Sequence, residues 1–136
     1  MTRGFATAWN GDTLFIQQMV MGGNIAGNIN AMLCRSDYVY AAGDGGAIVR
    51  RATGAAQAQK WTGVGPAATN TLRGLWADSD SYIVAVGDGG TIVGGNGATW
   101  NTIPSPTTNN LRAVWGSSPF NIYAVGDGGI VLHYLP

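Results

Sequence analysis

Gly43-Asp44-Gly45-Gly46 recurs as Gly87-Asp88-Gly89-Gly90 and as Gly126-Asp127-Gly128-Gly129. The copies are 44 and 39 residues apart. Each is preceded by an apolar run, Tyr38 to Ala42, Tyr82 to Val86 and Ile122 to Val125. Each is followed by another, Ala47 to Arg50, Thr91 to Val93 and Ile130 to Tyr134. Asp-Gly between apolar strands predicts a type I′ hairpin turn, since glycine accepts positive φ. A repeat near 40 residues built from hairpins is the period of a four-stranded propeller blade.

Further out, Leu72-Arg73-Gly74-Leu75-Trp76 matches Leu111-Arg112-Ala113-Val114-Trp115, and each Trp lies eleven residues before its glycine turn. Counting back eleven from Gly43 makes Asn28 to Met32 the degenerate first copy, with Ile29 where the others carry arginine. These segments are expected to be inner strands. Gln59-Lys60-Trp61 and Ala98-Thr99-Trp100 are expected to end the blades as outer strands. The third unit has no such strand, and Phe5-Ala6-Thr7-Ala8-Trp9-Asn10 fits that place.

The expected organisation is one all-β repeat domain over 1–136. Residues 1–10 form an outer strand closing a terminal blade, read as the partner's. Residues 11–60 form blade 1, with an insertion, closed by the Trp61 strand. Blade 2 is 72–100, and blade 3 is 111–136 without its outer strand. Leu14 to Met21 is either a loop or an interface arm. Three blades do not close a ring, so the arc is expected to form a six-bladed ring by homodimerisation, with a trimer or a longer chain as alternatives.

Composition narrows the function. The chain has 22 glycines, no glutamate, seven aspartates and a formal net charge of zero. Such neutrality gives no electrostatic reason for nucleic acid or an anionic membrane. Leu14 to Met21 is too short to span a bilayer, and the N-terminus has no signal-peptide pattern. Cys34 is alone and expected to pack as a small core residue. His133 is the single histidine and faces no evident nucleophile, so no catalytic residue, metal or cofactor is expected.

The third unit resembles bacterial secreted or surface repeat β-propeller proteins whose units read Leu-Arg-x-Val-Trp-Gly-Ser-Ser and Ala-Val-Gly-Asp-Gly-Gly. Gly95 to Trp100 is also similar to the tail of a sialidase-type Asp-box, with Asn96 in place of its aspartate and no leading serine. The resemblance implies an extracellular or surface location and a binding or assembly role.

The leading expectation is a non-enzymatic, multivalent, lectin-like carbohydrate binder. A structural or assembly module that binds protein is the alternative, and a glycan hydrolase using aspartates is remote. Ligand-binding candidates are Arg73 and Arg112 as channel guanidiniums, Trp61 and Trp100 as stacking platforms, Asn70 and Asn110 in the polar loops, and Asp88 and Asp127 in the turns. The bland expectation beside these is that the turn aspartates cap backbone amides and the arginines pair with them or pack on tryptophan.

Overall fold

The computed structural model describes residues 27–55, 61–65 and 68–135. These residues form three small antiparallel sheets in chain order. Blade 1 has β1 (Ile29–Cys34), β2 (Tyr38–Gly43), β3 (Ile48–Ala52) and β4 (Thr62–Gly63). Blade 2 has β5 (Leu72–Ser79), β6 (Tyr82–Gly87), β7 (Ile92–Gly95) and β8 (Trp100–Thr102). Blade 3 has β9 (Leu111–Ser118), β10 (Asn121–Gly126) and β11 (Val131–Tyr134). Phe5 to Asn10, Leu14 to Met21, Gln59 and Lys60 lie outside the described residues.

Each glycine turn joins the second and third strands of its blade. Its type I′ pair is the two glycines, one residue later than the sequence suggests: Gly45 and Gly46 have φ of 68° and 73°, Gly89 and Gly90 69° and 73°. Ala47 N–H and Thr91 N–H close these turns on the carbonyls of Asp44 and Asp88, at 3.4 and 3.2 Å. Aspartate thus stands at the first corner with negative φ, and only glycine meets the left-handed demand.

The register corrects the alignment of the first copy. Each inner strand is bulged, between Ile29 and Ala31, between Leu72 and Gly74, and between the partners of Val125 and Gly126. The turn aspartate amide donates to Asn28 O, Thr71 O and Asn110 O in the three blades, at 3.0, 2.9 and 2.8 Å. These anchors make Asn28 the counterpart of Thr71. Asn30, not Ile29, is then the counterpart of Arg73 and Arg112. Leu33, not Met32, is the counterpart of Trp76. The β1–β2 hairpin is one residue shorter than the others, so counting eleven from the turn lands one residue early. Burial agrees: Leu33 packs on the core while Met32 is exposed.

In blade 2 the outer strand begins at its tryptophan instead of ending there, and in blade 1 the described strand is Thr62–Gly63, just after Trp61. Trp100 pairs opposite Gly95, and Thr62 opposite Arg50. The side chain of Trp100 reaches the seam between blades 1 and 2, beside Ile83, Ala85 and Val93.

Seams between blades form the core. Trp76, Val84 and Val86 of blade 2 meet Leu111, Ile122 and Ala124 of blade 3. Gly116 makes room there, since a Cβ at that position would lie 2.9 Å from Trp76 Cζ2. The glycine after tryptophan in the repeat therefore serves the tryptophan of the preceding blade. Blade 3 leaves the equivalent face open. Trp76, Val84 and Val86 are 9%, 6% and 1% exposed, whereas Trp115, Tyr123 and Val125 are 62%, 37% and 42% exposed. Cys34 is also exposed, contrary to the expected core position, because it ends β1 beyond the seam.

Candidate functional site: a polar rim at the bulged inner strands

A bulge interrupts strand alternation and re-aims one side chain. Repeated in three blades, it directs Asn30, Arg73 and Arg112 toward the aspartates of their own glycine turns. Arg73 donates from Nε and Nη2 to the two carboxylate oxygens of Asp88, at 2.9 and 3.1 Å. Arg112 holds Asp127 in the same way, at 2.9 and 3.0 Å. These are bidentate fork pairs. In blade 1 the Asn30 amide donates to Asp44 Oδ1 at 3.2 Å, and Asn28 N–H donates to Asp44 Oδ2 at 3.0 Å.

The aspartates do not cap their turns with their carboxylates in blades 2 and 3, as first expected; arginine takes both oxygens. Asp44 does accept a backbone amide, but from the inner strand's approach. The Arg73 guanidinium holds the Asp88 carboxyl below its ordinary value, and Arg112 does the same for Asp127. Asp44 is lowered first by the Asn28 amide and then by Asn30. Both guanidiniums are raised by their aspartate partners. Charges of neighbouring blades also sense one another, Arg73 with Asp44 and Asp127, and Arg112 with Arg73 and Asp88. The three polar positions therefore share one rim, each beside the aspartate of its own blade.

Linker amides lock this rim. Asn70 Nδ2 donates to Asp88 O and Thr91 Oγ1, at 3.2 and 3.0 Å. Its counterpart in blade 3 is Asn109, which donates to Asp127 O at 3.2 Å. Asn110 does a different job: its Oδ1 accepts from Gly89 N–H at 2.9 Å and ties blade 3 to the turn of blade 2. Asn30 Nδ2 also donates to Leu72 O at 3.0 Å, tying blade 1 to blade 2.

Six of the sequence candidates thus meet at one rim: Arg73, Arg112, Asp88, Asp127, Asn70 and Asn110. Trp61 and Trp100 do not join them. Trp61 is 4% exposed among Ala41 and Val49, and Trp100 is half-buried in the seam. Asn28, Asn30 and Asn109 are the members that sequence reasoning missed. Their signal was an asparagine at or just before the start of every inner strand, hidden by the one-residue offset.

His133 stacks on Tyr123 with ring centroids 4.1 Å apart, and its Nε2 is 2.7 Å from Asn121 Oδ1. An amide and an aromatic ring hold it, with no serine or cysteine nucleophile among its partners. Among the described residues no group of three or more His, Cys, Asp or Glu is placed to hold a metal ion. No helix among them is long and apolar enough to cross a membrane. The described residues make a module of three antiparallel β-sheets.

No family model matches the sequence, and no curated protein does. Solved structures do. YCF48 from Cyanidioschyzon merolae superposes with a TM-score of 0.73 at 15% identity, over 93% of this chain and 42% of its own. A structure titled YCF48 bound to D1 peptide gives 0.75 at 16%, over 95% and 43%. At that identity the likeness shows the fold, a partial YCF48-like propeller. The chain spans less than half the length of either structure.

These matches overturn the resemblance to bacterial surface propellers with an Asp-box-like tail. The motif that suggested it is architectural: leucine for the core, arginine for the turn aspartate, tryptophan for the seam and glycine for the neighbouring indole. Asn96 is likewise local, since its Oδ1 accepts from Ala98 N–H and Thr99 N–H at 3.0 and 2.9 Å in an Asx turn.

Proposed function

We propose that the protein is a non-enzymatic protein-interaction module whose rim of Asn30, Arg73 and Arg112 receives a segment of its partner. The observation that carries this reading is the repeated bulge, which sets one polar donor per blade in line at one rim. Arg112 with Asp127 is exposed and Arg73 with Asp88 part-buried, so the row grades from solvent inward. Each guanidinium is neutralised by its own aspartate. Such a rim recognises a partner by directional hydrogen bonds more than by long-range field. That one solved structure of this fold is of YCF48 with a bound peptide supports a peptide over a sugar as ligand. The carbohydrate reading needs exposed ring faces, and Trp61 and Trp100 are taken up by packing. A peptide array probed with the protein and with Arg73→Ala/Arg112→Ala tests the reading. Loss of the bound set in the variant is expected; equal binding by both proteins overturns it.

The companion proposal is that a second copy closes the arc into a six-bladed ring. The open blade 3 face supports it, because its blade 2 counterpart is buried under the next blade. Light scattering on the 136-residue chain should give twice 14.1 kDa. A stable 14.1 kDa particle overturns closure by a second copy, and a particle of three chains replaces it with nine blades.

A further inference from the structure

We infer that the rim rejects acidic segments and takes an uncharged, extended stretch of polypeptide by its main-chain groups, with Asp88 and Asp127 as the residues that set this choice. The inference deepens the partner-binding reading of the rim and rests on it.

The balance of charge carries the first half. Asp44, Asp88 and Asp127 stand along the row with two guanidiniums, Arg73 and Arg112. Three carboxylates against two cations leave the row with one negative charge in excess. All three carboxyls are held below their ordinary value, so all are ionised at neutral pH. The excess sits in blade 1, where Asp44 is hydrogen-bonded by neutral donors, Asn28 N–H and the Asn30 amide. The row is open to a ligand in blades 2 and 3. Arg112 and Asp127 are 50% and 48% exposed, and Arg73 and Asp88 34% and 31%.

The hydrogens left over carry the second half. A guanidinium has five N–H bonds in a rigid fork. Nε and Nη2 of each arginine spend one apiece on the resident aspartate. The edge that these two nitrogens form is therefore taken, and Nη1 has no acceptor among the described residues. An incoming carboxylate must use Nη1, beside a carboxylate that already neutralises the cation. Like charges placed side by side count against such a ligand. A main-chain carbonyl accepts the same N–H without that repulsion.

Asn30 presents the opposite polarity. Both its Nδ2 hydrogens are spent, on Asp44 Oδ1 at 3.2 Å and on Leu72 O at 3.0 Å, which leaves Oδ1 as an acceptor. The row thus offers an acceptor in blade 1 and donors in blades 2 and 3. A polypeptide backbone carries both N–H and C=O and answers both. A run of carboxylates answers only the donors, and meets Asp44 where the negative charge is in excess.

The test exposes arrayed random peptides to three proteins: the native chain, Asp88→Asn/Asp127→Asn and Arg73→Ala/Arg112→Ala. The native chain should retain peptides poor in aspartate and glutamate. The asparagine variant keeps the shape of both side chains but turns two neutral pairs into two free cations. It should move to acid-rich peptides and bind oligo-aspartate at least about tenfold more tightly than the native chain does. An acid-rich set on the native chain, or one and the same set on both proteins, overturns the inference and leaves the rim standing as a binding site. Equal binding by the alanine variant, or no peptide retained by the native chain, removes the rim reading and the inference with it. Salt gives a readout without substitutions. Affinity of the native chain for a retained peptide should change less than about twofold as salt is raised, since no net attraction is screened. A steep loss with salt overturns the inference.

Discussion

Asn30 and Arg73 occupy the same bulged position in consecutive blades, and each donates to the aspartate of its own glycine turn. Asn30 is shorter, so it reaches one carboxylate oxygen, and Asn28 N–H supplies the other bond. It also spans to Leu72 O in the next blade. Asn30→Ala removes two part-buried hydrogen bonds and should cost about 1–2 kcal/mol. Urea denaturation at neutral pH measures it, and an unchanged midpoint would show that the Asn28 amide alone holds Asp44.

The rim also predicts a pH response. Asp88 and Asp127 have folded pKa values below the ordinary 3.8, chiefly through their arginines. The unfolded chain then binds protons first on acidification. The stabilisation is present above the ordinary carboxylate value and is lost as pH falls through the lowered folded values. Denaturation midpoints should be level from neutral pH to about pH 5 and decline below the ordinary carboxylate range. Asp88→Asn/Asp127→Asn should flatten that decline. Added salt should weaken the exposed Arg112 pair more than the Arg73 pair.

Gly90 and Gly129 have matching φ, 73° and 74°, but different neighbours. A Cβ on Gly90 would collide with the carbonyl oxygen of Thr107 in the following linker, while Gly129 has nothing within 4 Å. Gly129→Ala should cost about 1–2 kcal/mol, the strain of a left-handed residue alone. Gly90→Ala should cost clearly more, because the linker backbone must move. Equal losses would mean that the linker gives way freely.

Trp76 and Trp115 are counterparts with opposite surroundings. Trp76→Ala should cost about 3–5 kcal/mol, as expected for emptying a seam. Trp115→Ala should leave the unfolding free energy of the single chain within about 0.5 kcal/mol. Its effect should appear in mass instead, moving the population toward 14.1 kDa. Sedimentation of the two variants separates these outcomes.

Much of this fold was legible because propeller strands are read locally. The glycine turns, the flanking strands and the tryptophan of blades 2 and 3 follow from pattern alone. The first inner strand was read one residue out of place, since loss of one residue in the β1–β2 hairpin leaves no mark on the turn from which the count began. The rim was half legible: Arg73 and Arg112 stood out by type, while Asn30 was hidden by the same offset. Nor did residue type reveal that Trp61 is buried against Ala41 and Val49 and that Trp100 reaches a seam, because burial depends on which neighbour covers each strand. Cys34 was misjudged for that reason as well.

The inner ends of the blades are cross-tied by bulge, aspartate turn and linker asparagine, while the opposite hairpins accept a different length in blade 1. Insertions and deletions should therefore accumulate at the outer tips, leaving the axial geometry intact. A designer could vary those tips freely, or splice in a whole unit between Asn109 and Leu111, and keep the spacing of the blades.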